Sequence, residues 1–324
     1  MSRIFVTGGS GFIGTNLVQY LVDNGNHVVN YDIKEPRNIE HSTFWVGGDI
    51  LDFEKLVEEV GKFNPEYFVH LAARTDLNGR NVVEYPANTE GVLNVVKAIR
   101  KCGFLKRVLF VSSRLVCKIG YLPQSDSDYC PSTFYGESKV VGEKIVRENA
   151  SIIPCTWAIL RPTSIWGPWF DTPYKEFFLS IVNSNYIHPR GLHIYKSFGY
   201  VGNSVFMIDK LLQCSRSLVH NKTLYLTDYP PIEVQKWANL IATKSGHPLP
   251  LEIPLYFLKL VAYAGNLMKF FGWRNPPLTK FRLNNLITNM VYETSNLENI
   301  CGHLPYTLDD GVELTLEWLK LKRR

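Results

Sequence analysis

Residues 3–14 read RIFVTGGSGFIG, a short run of β-branched and aromatic residues that ends in three glycines, Gly8, Gly11 and Gly14, at three-residue spacing. A helical pattern starts at once: Ile13, Leu17 and Leu21 recur at i, i+4 and i+8, and the pattern stops at Gly25. Strand, glycine turn and helix in this order suit a phosphate-binding βα unit. Gly8 would make the tight turn, Gly11 would let backbone approach a pyrophosphate, and Gly14 would let helix and strand pack closely. Phe12, Ile13 and Gly14 open the helix, whose N–H groups and positive dipole end would face the phosphates. A glycine trio by itself also fits a plain loop, so the surrounding pattern has to decide.

Working outward, similar runs recur between helical patterns at His27–Tyr31, Tyr67–Leu71, Arg107–Ser112 and Thr156–Leu160. Strands that alternate with helices predict a parallel sheet, here an α/β, Rossmann-like doubly wound fold. A second helix is predicted from about Asn88 to Lys101, with Val92, Val95 and Ile99 on one face. Beyond Pro162 the pattern turns to mixed aromatic, loop and helical segments, with turn signals at Gly167-Pro168 and Pro230-Pro231. The expected division is residues 1–165 as an NAD-binding domain and 166–324 as a smaller C-terminal substrate-binding lobe, with some segments returning to the first.

Asp32 follows the second strand, where a carboxylate can accept hydrogen bonds from the adenosine ribose hydroxyls. It would repel a ribose phosphate, so NAD is favoured over NADP; Lys34 and Arg37 nearby keep the alternative open.

Composition narrows the class. The chain has 324 residues, 45% hydrophobic and 20% charged, with a formal net charge of +5, which describes a folded globular protein. The basic residues do not cluster except at Lys322, Arg323 and Arg324, so no nucleic-acid partner is expected; the excess fits a solvated surface with a share for an anionic ligand. Six scattered cysteines form no CxxC and have no histidines at metal-ligand spacing, so reduced structural thiols in a cytoplasmic protein are expected, and no metal. Cys117 and Cys130 lie near the candidate site in sequence and could line it. The N-terminus lacks the apolar length of a signal peptide. The most membrane-like stretch, Ile253–Trp273, is interrupted by Lys259, Asn266 and Lys269. It is expected to form a largely buried amphipathic helix and not a span, with an interface-lying helix as the other reading.

Two further segments carry chemistry. YGESK places Tyr135 and Lys139 at i, i+4, on one helical face. A phenol with a pKa of about 10 is a poor base at neutral pH, and a neighbouring ammonium together with a positive nicotinamide would favour its phenolate. Ser113 closes the strand that reads RVLFVSS.

With these motifs in one order, the chain resembles the extended short-chain dehydrogenase/reductase family, in particular its NAD-dependent nucleotide-sugar epimerase/dehydratase group. The resemblance covers nearly the whole chain. It implies a Ser113–Tyr135–Lys139 active site, in which Ser113 bonds the reacting sugar oxygen; Val116, standing where the family has the Val of its VYG turn, selects Ser113 over Ser112. It also implies that Asp49 and Ile50 of the GDI segment contact adenine and that Leu71, Ala72 and Ala73 of HLAA lie beneath the cofactor, with His70 structural. Asn88 in NTEGVLN matches the family's helix asparagine, which supports the active-site geometry. RPTSIWGP (161–168) matches the strand that leads into the substrate lobe. KSFGYVGN (196–203) resembles RDFxYVDD, with Lys196 in place of a phosphate-binding Arg and Gly202-Asn203 in place of the acidic pair. Arg282 resembles a second diphosphate-binding Arg, or is a surface cation beside a helix.

The implied activity is that of a nucleotide-sugar epimerase, a 4-epimerase first, in polysaccharide or glycan precursor synthesis. A 4,6-dehydratase has Asp-Glu directly after the Ser/Thr; Arg114-Leu115 occupy those positions, which argues against that reaction. A 4-ketoreductase uses the same Ser-Tyr-Lys set and stays open. A 3β-hydroxysteroid-type dehydrogenase would want an apolar pocket, and a non-catalytic NAD-sensing regulator tends to lose the Tyr or Lys retained here. Many relatives pair through the helix that carries the tyrosine, so a homodimer is expected.

Overall fold

The computed structural model describes residues 1–171, 173–271, 273 and 278–321. Lys322, Arg323 and Arg324 lie outside them, as does Gly272 within the membrane-like stretch. Seven strands form one parallel sheet. They are β1 (Arg3–Thr7), β2 (His27–Asp32), β3 (Trp45–Gly47), β4 (Tyr67–His70), β5 (Arg107–Val111), β6 (Thr156–Pro162) and, from far along the chain, Lys222–Leu226. From that last strand the order runs β6, β5, β4, β1, β2, β3. The strand order reverses beside β1, and at such a point the loops on either side part to leave a crevice above the strand ends.

Both faces of the sheet are covered, which is why its strands are apolar on both sides. On one face α1 (Phe12–Asp23) buries Leu17, Val18 and Leu21, and a later helix, Val201–Gln213, adds Val205, Ile208 and Leu212 to the same core. On the other, α2 (Phe53–Phe63) and α3 (Glu90–Ile99) bury Leu56, Val60, Val92, Val95 and Ile99 against Phe5, Phe68 and Val108. α4 (Phe134–Glu148) packs beside α3. The helix expected from Asn88 starts two residues later, because Pro86–Asn88 form a 3₁₀ turn with Asn88 turned inward.

The C-terminal half is more aromatic. Trp166, Tyr200, Phe178 and Trp237 pack together at centroid separations of 5.1–5.6 Å. This core is continuous with the one beneath α1, so the C-terminal half is joined to the sheet by packing as well as by the returning strand.

One expectation is corrected. Leu255–Phe270 is a helix, but it is not largely buried: Leu258 and Ala262 pack on Leu283 of the helix Lys280–Ile287, while Leu260, Tyr263, Phe270, Phe271 and Trp273 are exposed, Phe270 at 84%. Among the described residues the helix packed against it is Lys280–Ile287, eight residues long and too short to cover it. No helix among the described residues is long and apolar enough to cross a membrane.

Candidate active site

The crevice above β1 is built by glycines whose neighbours leave no room for a side chain. Gly8 has φ +76°, and a Cβ there would stand 2.5 Å from Ala72 N; at Gly14 it would stand 2.2 Å from Gly8 O. Gly11 differs, since a Cβ would meet only Gly8 O, at 3.2 Å. The chain's own packing therefore demands glycine at 8 and 14, whereas at 11 the space lies toward the crevice. Gly11 is the N-cap of α1, which has no side-chain cap and no acidic residue in its first turn. The N–H groups of Phe12, Ile13 and Gly14 thus stand at an uncapped, positive helix end, a donor set that fits a pyrophosphate.

At the end of β2 the Asp32 carboxylate accepts from Ser10 N and Lys34 N, each at 3.0 Å. Burial raises its pKa, opposed by those N–H bonds and the Lys34 charge. Arg37 is engaged elsewhere: it bonds the carbonyls of Ser10 and Trp169 and pairs with Asp171 at 2.7 Å. Tyr31 under the next loop donates to Asp49 O at 3.0 Å, and the carbonyl of buried Ile50 accepts from Asn94. After β4, Leu71 and Ala72 are tied to Thr7, and Leu71, Ala72 and Ala73 are half-buried. His70 is buried, shares a 2.7 Å hydrogen bond with Thr7 Oγ1, and is pushed down to a pKa of about 3 by burial and then by the Lys139 charge. It is neutral and built into the fold. Asn88 accepts from Arg74 N and donates to Arg74 O and to Ser138 on α4, so it fixes the α4 register and does not face the crevice through its amide nitrogen.

Thr133 caps α4 by accepting from Gly136 N, which aims the first turn. Tyr135 and Lys139 are both buried on the inner side of that helix. Ser113, after β5, accepts from Leu115 N at 3.1 Å, and its hydroxyl lies near enough to the Tyr135 phenol to favour the phenolate. The Ser112 hydroxyl is buried without a partner. Burial pushes the phenol up to about 12, the nearby Ser113 hydroxyl opposing it. The lowering expected from Lys139 is absent here, because the amine donates to Val111 O at 2.9 Å and burial holds its own pKa down to about 8.

A cavity adjoins this set on the C-terminal side. Lys196, Arg282, Tyr174, Tyr292, Asn285 and Arg114 are among the residues that line it, and among the described residues no Asp or Glu does. Ser113 and Tyr135 do not line it; Arg114, the next residue after Ser113, joins the two. Lys196 donates to the carbonyl of Asn285, and burial followed by the charge of Arg114 lowers it to about 8. Asn203, which stands in place of the resembled family's acidic pair, is buried in structural bonds to Asp228 and Tyr306 O. Cys117 and Cys130 lie outside the cavity lining. Arg114 as a cavity residue went unread in the sequence, although its place beside Ser113 was the available signal.

Fold and site together define a dinucleotide-binding enzyme with a second, cation-lined ligand cavity. The chain belongs to the NAD dependent epimerase/dehydratase family, whose model matches residues 4–224. It is 25% identical over 329 residues to a 3-beta-hydroxysteroid dehydrogenase of Mycolicibacterium neoaurum, covering 94% of this chain and 87% of that one. It is 23% identical over 321 residues to an N-acetyl-alpha-D-glucosaminyl-diphospho-ditrans,octacis-undecaprenol 4-epimerase of Escherichia coli O157:H7, covering 98% and 95%. Among solved structures it is similar to UDP-glucuronic acid 4-epimerase from Bacillus cereus in complex with UDP-glucuronic acid and NAD, with a TM-score of 0.75 at 17% identity over 99% of both chains.

Proposed function

We propose that the chain is an NAD-dependent nucleotide-sugar epimerase, acting at C4, in polysaccharide or glycan precursor synthesis. Residues 1–165 hold the cofactor and 166–324 the substrate. Gly11–Gly14 would hold the pyrophosphate of NAD, Asp32 its adenosine ribose, Asp49 and Ile50 its adenine, and Leu71–Ala73 would lie beneath it. When bound, NAD would supply the hydride acceptor for transient oxidation of the sugar. Ser113 positions the sugar hydroxyl, Tyr135 takes and returns its proton, and Lys139 supports the phenolate and holds the nicotinamide ribose.

The observation that carries this reading is the cavity: buried Lys196 and exposed Arg282 both line it, and among the described residues no Asp or Glu does, a lining that suits a diphosphate. The same observation weighs against a steroid. The names of several relatives and the exposed Leu255–Phe270 helix favour a 3β-hydroxysteroid dehydrogenase. A neutral sterol, however, would leave buried Lys196 without a counter-charge. Titration calorimetry with UDP, GDP and dTDP tests the assignment. One of them is expected to bind, and Lys196→Ala and Arg282→Ala are each expected to weaken it about tenfold or more. Binding of a sterol and of no nucleotide would overturn it.

A further inference from the structure

Arg114 is a buried charge without a counter-charge. Its residue is 9% exposed, and among the described residues no carboxylate lies within ion-pair distance of its guanidinium. None of the described residues that share its cavity wall is acidic. The guanidinium donates to Met290 Sδ at 3.6 Å and shares the cavity wall with the phenols of Tyr174 and Tyr292, close enough to favour their ionised forms. Those rings are themselves fixed, Tyr292 stacked on Tyr225 at 4.2 Å and Tyr174 edge-on to Phe198. The guanidinium thus stands at the cavity wall beside these rings, near enough to Lys196 to repel it. Isolated buried cations are costly, and a site that keeps one in place against another cation is built for an anion.

Two cations suffice for the dianionic linker of a nucleotide sugar, and Lys196 and Arg282 are assigned to it. Arg114 is the third and differs in position: it follows Ser113, which lies beside the Tyr135 phenol, so on the proposed reading its backbone would stand at the reacting end of the substrate. A carboxylate at C6 of a hexose is two bonds from C4. A fixed guanidinium fork is the group that best recognises a planar carboxylate. We propose that Arg114 is a specificity-determining residue that binds the carboxylate of a uronic acid, so that the substrate is a nucleoside-diphospho-uronate. The proposal rests on the nucleotide-sugar reading above.

The test compares the full-length, NAD-loaded enzyme on UDP-glucuronate and UDP-glucose, with UDP binding measured alongside. The wild type is expected to favour the uronate. In Arg114→Ala the ratio of kcat/KM for uronate over neutral sugar should fall by roughly 100-fold, with Arg114→Lys recovering part of it, because charge is restored without the fork. UDP affinity should change far less than uronate turnover, and NAD binding with a cooperative melt shows that the variants are folded. If both substrates and UDP weaken together, Arg114 is a third diphosphate contact and the proposal fails while the nucleotide-sugar reading stands. A wild type that prefers UDP-glucose also overturns it. If neither sugar nor UDP binds, the underlying reading falls and takes this proposal with it.

Discussion

Tyr135 and Lys139 are the residues whose ionisation matters most, and both are buried. With the phenol at about 12, almost none is phenolate at neutral pH, so the proposed acid/base role requires the bound, positively charged cofactor to shift it. Tyr135→Phe is expected to cut kcat by about 10²–10⁴-fold while NAD affinity, measured by fluorescence titration, is nearly unchanged. Lys139 gives a pH signature. Its folded-state pKa of about 8 lies below the ordinary 10.5, so between those values the unfolded chain binds the proton and the folded chain does not. Wild-type stability therefore gains from rising pH across about 8 to 10.5, and the cost of burying the charge is present in full below that window. Lys139→Met lacks this contribution. Its melting temperature relative to wild type should fall as pH is raised from 7.5 to 10.5, and a constant difference by calorimetry would show that Lys139 is not the titrating group.

At the scale of the element, the glycine turn separates structure from binding. Gly14→Ala forces a Cβ to within 2.2 Å of Gly8 O and should lower the melting temperature by several degrees, since backbone cannot move aside cheaply. Gly11→Ala should leave the melt nearly unchanged and weaken NAD, and equal effects of both would erase the distinction. This element was legible in the sequence because a strand, three glycines and an apolar stripe coincide within about twenty residues. Five of the seven sheet strands carried enough β-branched and aromatic residues to be read. Trp45–Gly47 is too short for any period, and Lys222–Leu226 joins β6 across an intervening lobe, a pairing that local pattern does not encode. The exposure of Leu255–Phe270 was misread for a related reason: apolar content signals burial only when something is there to pack against. In the site, Ser113, Tyr135 and Lys139 could be named from spacing and resemblance. The role of Arg114 depends on Tyr174 and Tyr292, which lie far away in the chain and meet it only through the fold.

The whole molecule couples a cofactor crevice to a cationic cavity across one continuous apolar core. We propose that it works as a homodimer through α4 and its neighbours. Phe134 at the start of α4 is exposed and would lie in that interface. Light scattering at micromolar concentration is expected to give twice the chain mass, reduced to one by Phe134→Glu and unaffected by Phe271→Glu in the exposed C-terminal face; the reverse pattern would move the interface to that face. The central claim, redox-neutral epimerisation, is tested most directly by incubating the enzyme with UDP-, GDP- and dTDP-sugars without added reductant, following sugar stereochemistry by NMR and reduced cofactor by absorbance. The account predicts interconversion of C4 epimers with no net NADH. Strict dependence on stoichiometric NADH with a 4-keto substrate would contradict it and make the enzyme a ketoreductase.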